Sequence, residues 1–429
     1  MKEVKIAIVG LGTVGSSVLK SIEDNFDYIS SKSNIYFKII GVAAKNKDKK
    51  RIFDISKYHW ADDPMELVNS EKCDILVELI GNEKGLSYDL IKKAISNKIN
   101  VVTANKALLA NHGNELFQLA DKNNVKVYFE AAVAGGIPII NVLKNNIFLN
   151  KVKNISGILN GTTNFILSQM DKNNLTFQES LQIAKDKGYA ETDPSNDIEG
   201  IDSAYKITLL SSLCYGIKIN HTFSFYSGIK HIKKEDIKYS NNLGYKIKLI
   251  SESQIINNES YINTIPKLVN INNPLAHVEG VLNAINIETD HLKSLFIEGE
   301  GAGGKATASS VISDIYEISK ESTHRSIGYN SSKLREIKLY DKENIKNPYY
   351  LRLVVKDQPG VLSKITSILT DKNISIQTIL QLTEEKNNND VPIVITTYET
   401  TEKNLNSAII DISKESFLED DVTKITIQN

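Results

Sequence analysis

With 51 Lys and Arg against 52 Asp and Glu in 429 residues, the chain has no net field to attract nucleic acid or an anionic membrane, and small zwitterionic ligands suit it best. An apolar share of 41% over that length is enough for the cores of two or three domains. Cys73 and Cys214 are far apart and in no CxxC pattern, which argues against a disulfide framework or zinc site; with no stretch near the roughly 18 apolar residues that span a bilayer, a cytoplasmic protein is expected.

Residues 4–133 alternate short apolar runs with amphipathic segments. The runs "VKIAIVG", "YFKIIGVAA", "DILVELIG", "INVVTAN" and "VKVYFEAAV" are β-branched and apolar on both faces, as buried parallel strands are. Between them "VGSSVLKSIEDNF", "LSYDLIKKAIS" and "KALLANHGNELFQLADK" have helical spacing. That alternation predicts an α/β fold, a Rossmann-type doubly wound parallel sheet over 1–135. Residues 136–299 read as an α+β domain, with a strand, turn and helix in "VKNISGILNGTTNFILSQM" and a helix in "DIEGIDSAYKITLLSSLCYG". The glycine-dense "GEGAGGKATASSVISDIYEIS" turns the chain back, so 300–328 are expected to complete the first domain. The polar segment 329–348 reads as a linker, and 349–429 follows a βαββαβ order, a ferredoxin-like unit.

Between the first strand and first helix, "GLGTVG" places Gly10, Gly12 and Gly15 in G-x-G-x-x-G spacing. The glycines suit a tight turn, close approach to a pyrophosphate, and close helix–strand packing; the N–H groups of Thr13 and Val14 would point at phosphate oxygens. A merely structural glycine turn is the alternative, and the strand–turn–helix context favours the dinucleotide. At the end of the second strand, where NAD sites often carry a carboxylate, stand Ala44 and Lys45. Lys45 would pair with a 2′-phosphate, so NADPH is favoured, with NADH the alternate.

Lys106 follows a strand's carboxyl end, where open α/β sheets bind ligands, though a solvated lysine at a helix start would look the same. Lys206 lies four residues after Asp202, spacing that also suits an ordinary salt bridge. The stretch "GYAETDPSNDIEGIDSAYK" gathers Glu191, Asp193, Asp197, Glu199 and Asp202, with Asp186 just upstream. It lacks EF-hand spacing, so a cradle for a substrate ammonium is expected, with the two lysines lowering each other's pKa beside a carbonyl.

The blocks "GLGTVG", "TANKALLA", "EAAVAGGIPII", "GILNGTTNFIL", "GYAETDPSNDIEGIDSAYK" and "GAGGKATASSVISD", in this order, resemble the homoserine dehydrogenase family from end to end, in the form with a C-terminal ACT domain. The resemblance implies NAD(P)H-dependent interconversion of L-aspartate 4-semialdehyde and L-homoserine. It makes Lys206 the proton donor and Lys106 its catalytic partner, also touching cofactor. It implies substrate contacts at Glu191, Asp202, Asp197, Tyr189 and Thr162, and cofactor contacts at Thr103, Gly188 and Gly303. It also implies a monovalent-cation loop around sodium, with Glu130 and the backbone oxygens of Val133, Gly135 and Ile137 as the ligands. The middle domain would then carry substrate and dimerisation, in a homodimer or homotetramer. Departures from the family's pattern at Asn82 and at Lys305–Ala306 flank the cofactor cleft and bear on cofactor preference.

In the tail, the turn at Asp357, Gly360 and Val361, with Asn373 opposite it, matches ACT positions that bind a small amino acid, and L-threonine feedback is expected; a ligand-free oligomerisation module is the alternative. The seven histidines, at 59, 112, 221, 231, 277, 291 and 324, have no ligand spacing. Neither cysteine stands beside a base, which removes an acyl-phosphate-reducing semialdehyde dehydrogenase. A non-catalytic NADP-binding amino-acid sensor remains as the rival from another class, and a dehydrogenase for another amino acid as the enzymatic one. The paired lysines argue against the sensor.

Overall fold

Five short apolar strands build the first layer: β1 (Lys2–Val9), β2 (Ile35–Ala43), β3 (Ile75–Glu78), β4 (Asn100–Thr103) and β5 (Val127–Tyr128). The computed structural model describes residues 1–51, 53–69, 73–223, 225–320, 325–381 and 390–428. All neighbouring pairs are parallel, in the order β2-β1-β3-β4-β5. The chain leaves β1 in opposite directions to reach β2 and β3, so the crevice for a ligand opens at the carboxyl ends of β1 and β3.

Helices cover both faces. One face buries Leu76 and Val101 against Leu90, Ile91, Leu108 and Phe117. The other buries Ile6, Ile8 and Val77 against Val18 and Leu19 of the helix Thr13–Asp24 and against Val311 and Ile315 of Gly304–Ser319. Burying each such side chain contributes about 1.5–3 kcal/mol, which holds the returning helix to the sheet. The return also explains two glycine clusters. A side chain at Gly135 would meet Gly301 O at 2.4 Å, and one at Gly304 would meet Ser17 Oγ at 2.5 Å.

The second sheet is mixed and larger than expected. Its strands run in the order Ser294–Glu300, Leu282–Thr289, Val152–Ile158, Tyr245–Ile256, Glu259–Asn270, Thr423–Ile427, Tyr349–Lys356, Asp390–Thr397, Ile376–Gln381. The last four, with the helices Val361–Asp371 and Glu402–Ile412, are the βαββαβ unit. That unit is not a separate body on a polar tether. Its final strand pairs in parallel with the middle domain, Thr426 beside Lys267 and Ile427 beside Leu268. Across the same join, buried Asp236 accepts from Arg352 Nε at 2.7 Å and from the Tyr350 hydroxyl at 3.0 Å. The expected linker is ordered too, with turns at Ser331–Lys333 and Lys342–Asn344 and a short strand at Lys346–Asn347. The last residues of the expected strand "ISIQTILQLT", beyond Gln381, and His324 lie outside the described residues.

Candidate active site

The glycine turn sits at the crevice. Gly10 has φ +100°, and a Cβ on Gly15 would meet Gly10 O at 1.9 Å, so both positions demand glycine; a Cβ on Gly12 would meet nothing within 4 Å, which leaves that backbone open to a ligand. The N–H groups of Thr13 and Val14 precede the first intrahelical bond, Ser16 N to Gly12 O, and stay available to an anion. A cleft of about 1280 Å³ runs from Gly10–Gly12 past Ala44 and exposed Lys45 to Leu79, Ile80 and Asn82. Lys47, Lys49 and Arg51 line the same wall, and Lys47 and Arg51 stand over the Trp60 ring at 5.9 and 5.6 Å. These cation–π contacts draw the Lys47 and Arg51 charges toward the cleft wall.

Beyond the cleft, one carboxylate holds both lysines. Asp202, on the helix Ile201–Tyr215, lies 2.9 Å from Lys106 Nζ through Oδ1 and 2.7 Å from Lys206 Nζ through Oδ2. Lys206 also donates to Leu159 O at 2.7 Å and is buried, whereas 39% of the Lys106 side chain remains exposed. Burial opposes the charge on Asp202, but the two ammonium groups more than offset it and hold its carboxyl below the usual carboxylate range. Burial pushes Lys206 down, with Asp202 pulling it back in part. Lys106 goes the other way: Asp202 raises it against burial. The expectation that each lysine depresses the other therefore fails for Lys106, because a carboxylate stands between them.

The acidic stretch divides. Asp197 and Asp202 converge on Asn160, whose amide donates to them at 2.7 and 2.9 Å. Burial and the neighbouring Asp202 charge push Asp197 upward. Glu191 is exposed at the edge, near enough for its charge to act on Lys106. The other three acids serve the local fold: Asp193 caps Ser195, Glu199 pairs with Lys230 at 2.8 Å, and Asp186 accepts from Gln182. Thr162 donates to Tyr189 O at 2.7 Å, and the half-exposed Tyr189 ring packs edge-on against Phe165 with 5.0 Å between centroids. Gly188 and Gly303 take φ +72° and +115°, the second at the start of the returning helix.

Three contributors carried no signal that composition or spacing could single out. Asn160 caps the helix Gly161–Asn173 while gathering the two aspartates. Glu78, wholly buried at the end of β3, accepts from Ile80 N at 2.8 Å, Ser87 Oγ at 3.1 Å and Thr103 Oγ1 at 2.7 Å. Thr103, expected at the cofactor, thus turns its hydroxyl to Glu78 and accepts from Asn105 N. Asn105 caps the helix that begins with Lys106 and donates to Asn82 O at 2.6 Å, tying the lysine to the cofactor cleft.

The loop "EAAVAGGI" offers oxygen ligands. Glu130 accepts from Ile140 N at 2.7 Å and Asn141 N at 2.8 Å; burial nevertheless pushes its carboxyl up to about 7. The carbonyl of Gly135 accepts from Ser310 Oγ and that of Ile137 from Ile139 N, which leaves each a second lone pair. Among the described residues no group of three or more His, Cys, Asp and Glu could hold a metal ion, so a cation here would depend on these carbonyls, including Val133 O, with Glu130. This hard-oxygen set fits a monovalent cation.

In the tail, Gly360 at φ +92° leads from exposed Asp357 into Val361, the first residue of its helix. Asn373 lies past the other end of that 11-residue helix, about 16 Å of rise away, not opposite the turn within one chain.

A dinucleotide crevice beside a paired-lysine, buried-carboxylate centre defines a nicotinamide-dependent oxidoreductase. Comparison with known proteins narrows this. The family model described as "Homoserine dehydrogenase" matches residues 138–316, its "NAD binding domain" model matches 10–130, and the ACT domain model matches 349–414. Homoserine dehydrogenase of Neisseria gonorrhoeae is 38% identical over 435 residues, covering 100% of this chain and 99% of its own. A crystal structure of a homoserine dehydrogenase from Thiobacillus denitrificans superposes with TM-score 0.92 at 35% identity, over 100% of this chain and 99% of that one. A hyperthermophilic archaeal homoserine dehydrogenase in complex with NADPH matches with TM-score 0.63 at 28% identity, over 75% and 99%. The chain belongs to the homoserine dehydrogenase family, oxidoreductases acting on a CH–OH group, and carries an ACT domain. No described helix is long and apolar enough to cross a membrane.

Proposed function

We propose that the chain interconverts L-aspartate 4-semialdehyde and L-homoserine by lysine acid–base catalysis, with NADPH preferred and NADH the alternate. The observation that carries this is the single buried carboxylate shared by Lys106 and Lys206, joined through Asn105 to the cofactor cleft. When bound, the dinucleotide supplies a hydride to the carbonyl carbon. Lys206 gives its proton to the carbonyl oxygen as negative charge develops there, and takes one back in the reverse direction. Lys106 adds positive charge from the cofactor side. Glu191 and Asp202 hold the substrate ammonium, with Asp197, Tyr189 and Thr162 around it. The exposed Lys45, with the lysines after it, supports the 2′-phosphate reading. The archaeal relative is in complex with NADPH.

Sodium would be held by Glu130 and the carbonyls of Val133, Gly135 and Ile137, where it would brace the loop against the returning segment. Threonine feedback through the ACT domain would draw on Asp357, Gly360 and Val361 of one copy and Asn373 of another, given the length of the intervening helix. That favours a homodimer or homotetramer, and the two free cysteines favour the reducing cytoplasm.

The test is oxidation of NADPH with L-aspartate 4-semialdehyde, in the wild type and in Lys206→Ala. Lys206→Ala should lose roughly 10²–10⁴-fold in kcat while still binding NADPH. Near-normal turnover in the variant would sink the lysine mechanism; no turnover in the wild type would sink the reaction.

A further inference from the structure

The buried Asn160 side chain is fixed from both ends. At the cap of the helix Gly161–Asn173 its Oδ1 accepts from Thr163 N at 2.8 Å and from Thr163 Oγ1 at 3.0 Å. The amide therefore has one orientation, with its NH₂ group toward the carboxylates. One hydrogen goes to Asp197 Oδ1 at 2.7 Å and the other to Asp202 Oδ2 at 2.9 Å. Its chain neighbours are held as well. A Cβ on Gly161 would meet Val281 O at 2.6 Å, and Leu159 O accepts from Lys206.

The two carboxylates that this amide joins are not equivalent. Asp202 is engaged by Lys106 on Oδ1 and by Lys206 and Asn160 on Oδ2, which takes three of about four lone-pair sites. No lysine or arginine pairs directly with Asp197 among the described residues; its close partner is the amide. Burial and the Asp202 charge oppose ionisation of Asp197, while the Asn160 amide and Lys206 favour it. Neighbouring like charges resist ionising together, and Asn160 is the donor that touches both. With Glu191 included, three carboxylates act on Lys106 while the centre holds two ammonium groups. It is one positive charge short, which a substrate ammonium supplies.

We propose that Asn160 is a positioning residue for the reaction proposed above: it keeps Asp202 on Lys206 and presents Asp197 as an open carboxylate to the substrate ammonium. Asn160 itself meets no reacting atom. It stands apart from the walls of the dinucleotide cleft, so its loss is felt by the amino-acid substrate and not by the cofactor.

The test uses Asn160→Ser and Asn160→Thr in the intact enzyme. Both keep an oxygen for Thr163 N, so the helix keeps its cap, but a single hydroxyl hydrogen cannot serve two carboxylates. With the thermal midpoint unchanged, the KM for L-aspartate 4-semialdehyde should rise roughly 10–100-fold, as for a lost hydrogen bond to a charged group. The KM for NADPH should hold. The acid limb of kcat/KM should move to higher pH, because Asp197 without its amide donor takes up a proton more readily. The other groups facing Asp197 are Asp202 and Lys206 on one helix, Lys106 on another and Thr162 beside Asn160, and both variants retain them. A semialdehyde KM and an acid limb that both stay in place would make Asn160 a helix cap only and overturn the proposal. An equal rise in the two KM values would overturn it too, as the mark of a centre disturbed as a whole. No turnover in the wild type would overturn the reaction itself, and this proposal with it.

Discussion

Lys206 donates to Asp202 across 2.7 Å, one helical turn away, and both side chains are buried. On the far oxygen of the same carboxylate stands Lys106. The three charges form one titrating unit, and its pH behaviour follows from who faces whom. On the proposed mechanism Lys206 is protonated in the reducing direction, so kcat should fall as pH rises through its depressed pKa. Removing the like charge in Lys106→Met should move that alkaline limb to higher pH, whereas removing the attraction in Asp202→Asn should move it lower. Profiles of kcat for the three proteins check both signs; limbs that stay in place would show that another group titrates.

Lys45 stands on the wall of the cleft at the end of β2. A charge-assisted bond to a 2′-phosphate is worth about 1.5–3 kcal/mol, or roughly 10–100-fold. Lys45→Ala should therefore raise the KM for NADPH by about that factor and leave the KM for NADH nearly unchanged. Equal effects on both would assign Lys45 to neither.

Glu78 acts through others. Its carboxylate gathers the Thr103 hydroxyl and the N–H of Ile80 on the cofactor side, and Thr103 in turn holds Asn105, the cap before Lys106. Glu78→Gln turns an amide donor toward donors, at about 1–3 kcal/mol. The KM for the dinucleotide should rise and kcat should fall in the folded enzyme. A variant that merely loses thermal stability, with both constants intact, would make Glu78 structural only.

Arg352 and Asp236 form the buried pair at the ACT join, at 2.7 Å. Arg352→Met would leave Asp236 charged and unpaired, a loss of about 3–5 kcal/mol in unfolding free energy. Adding Asp236→Asn should recover part of it. Denaturant unfolding of single and double variants measures the coupling, and strict additivity would refute it.

Much of this was legible in one dimension. The alternation of apolar runs and helical spacing determined the parallel sheet, because parallel strands are covered on both faces and must be apolar throughout. The glycines of "GLGTVG" marked the crevice because Gly10 and Gly15 leave no room for a side chain. The i,i+4 relation of Asp202 and Lys206 was visible because helical geometry is local. Only the tertiary structure decided that Lys106 reaches the other oxygen of Asp202, that Asn160 and Glu78 organise the site, and that three of the six acids take no part in it. It alone merged the ACT strands with the middle sheet. These are contacts between residues far apart in sequence, made where long-range packing brings strand ends together, and no local periodicity encodes which buried polar group will meet which.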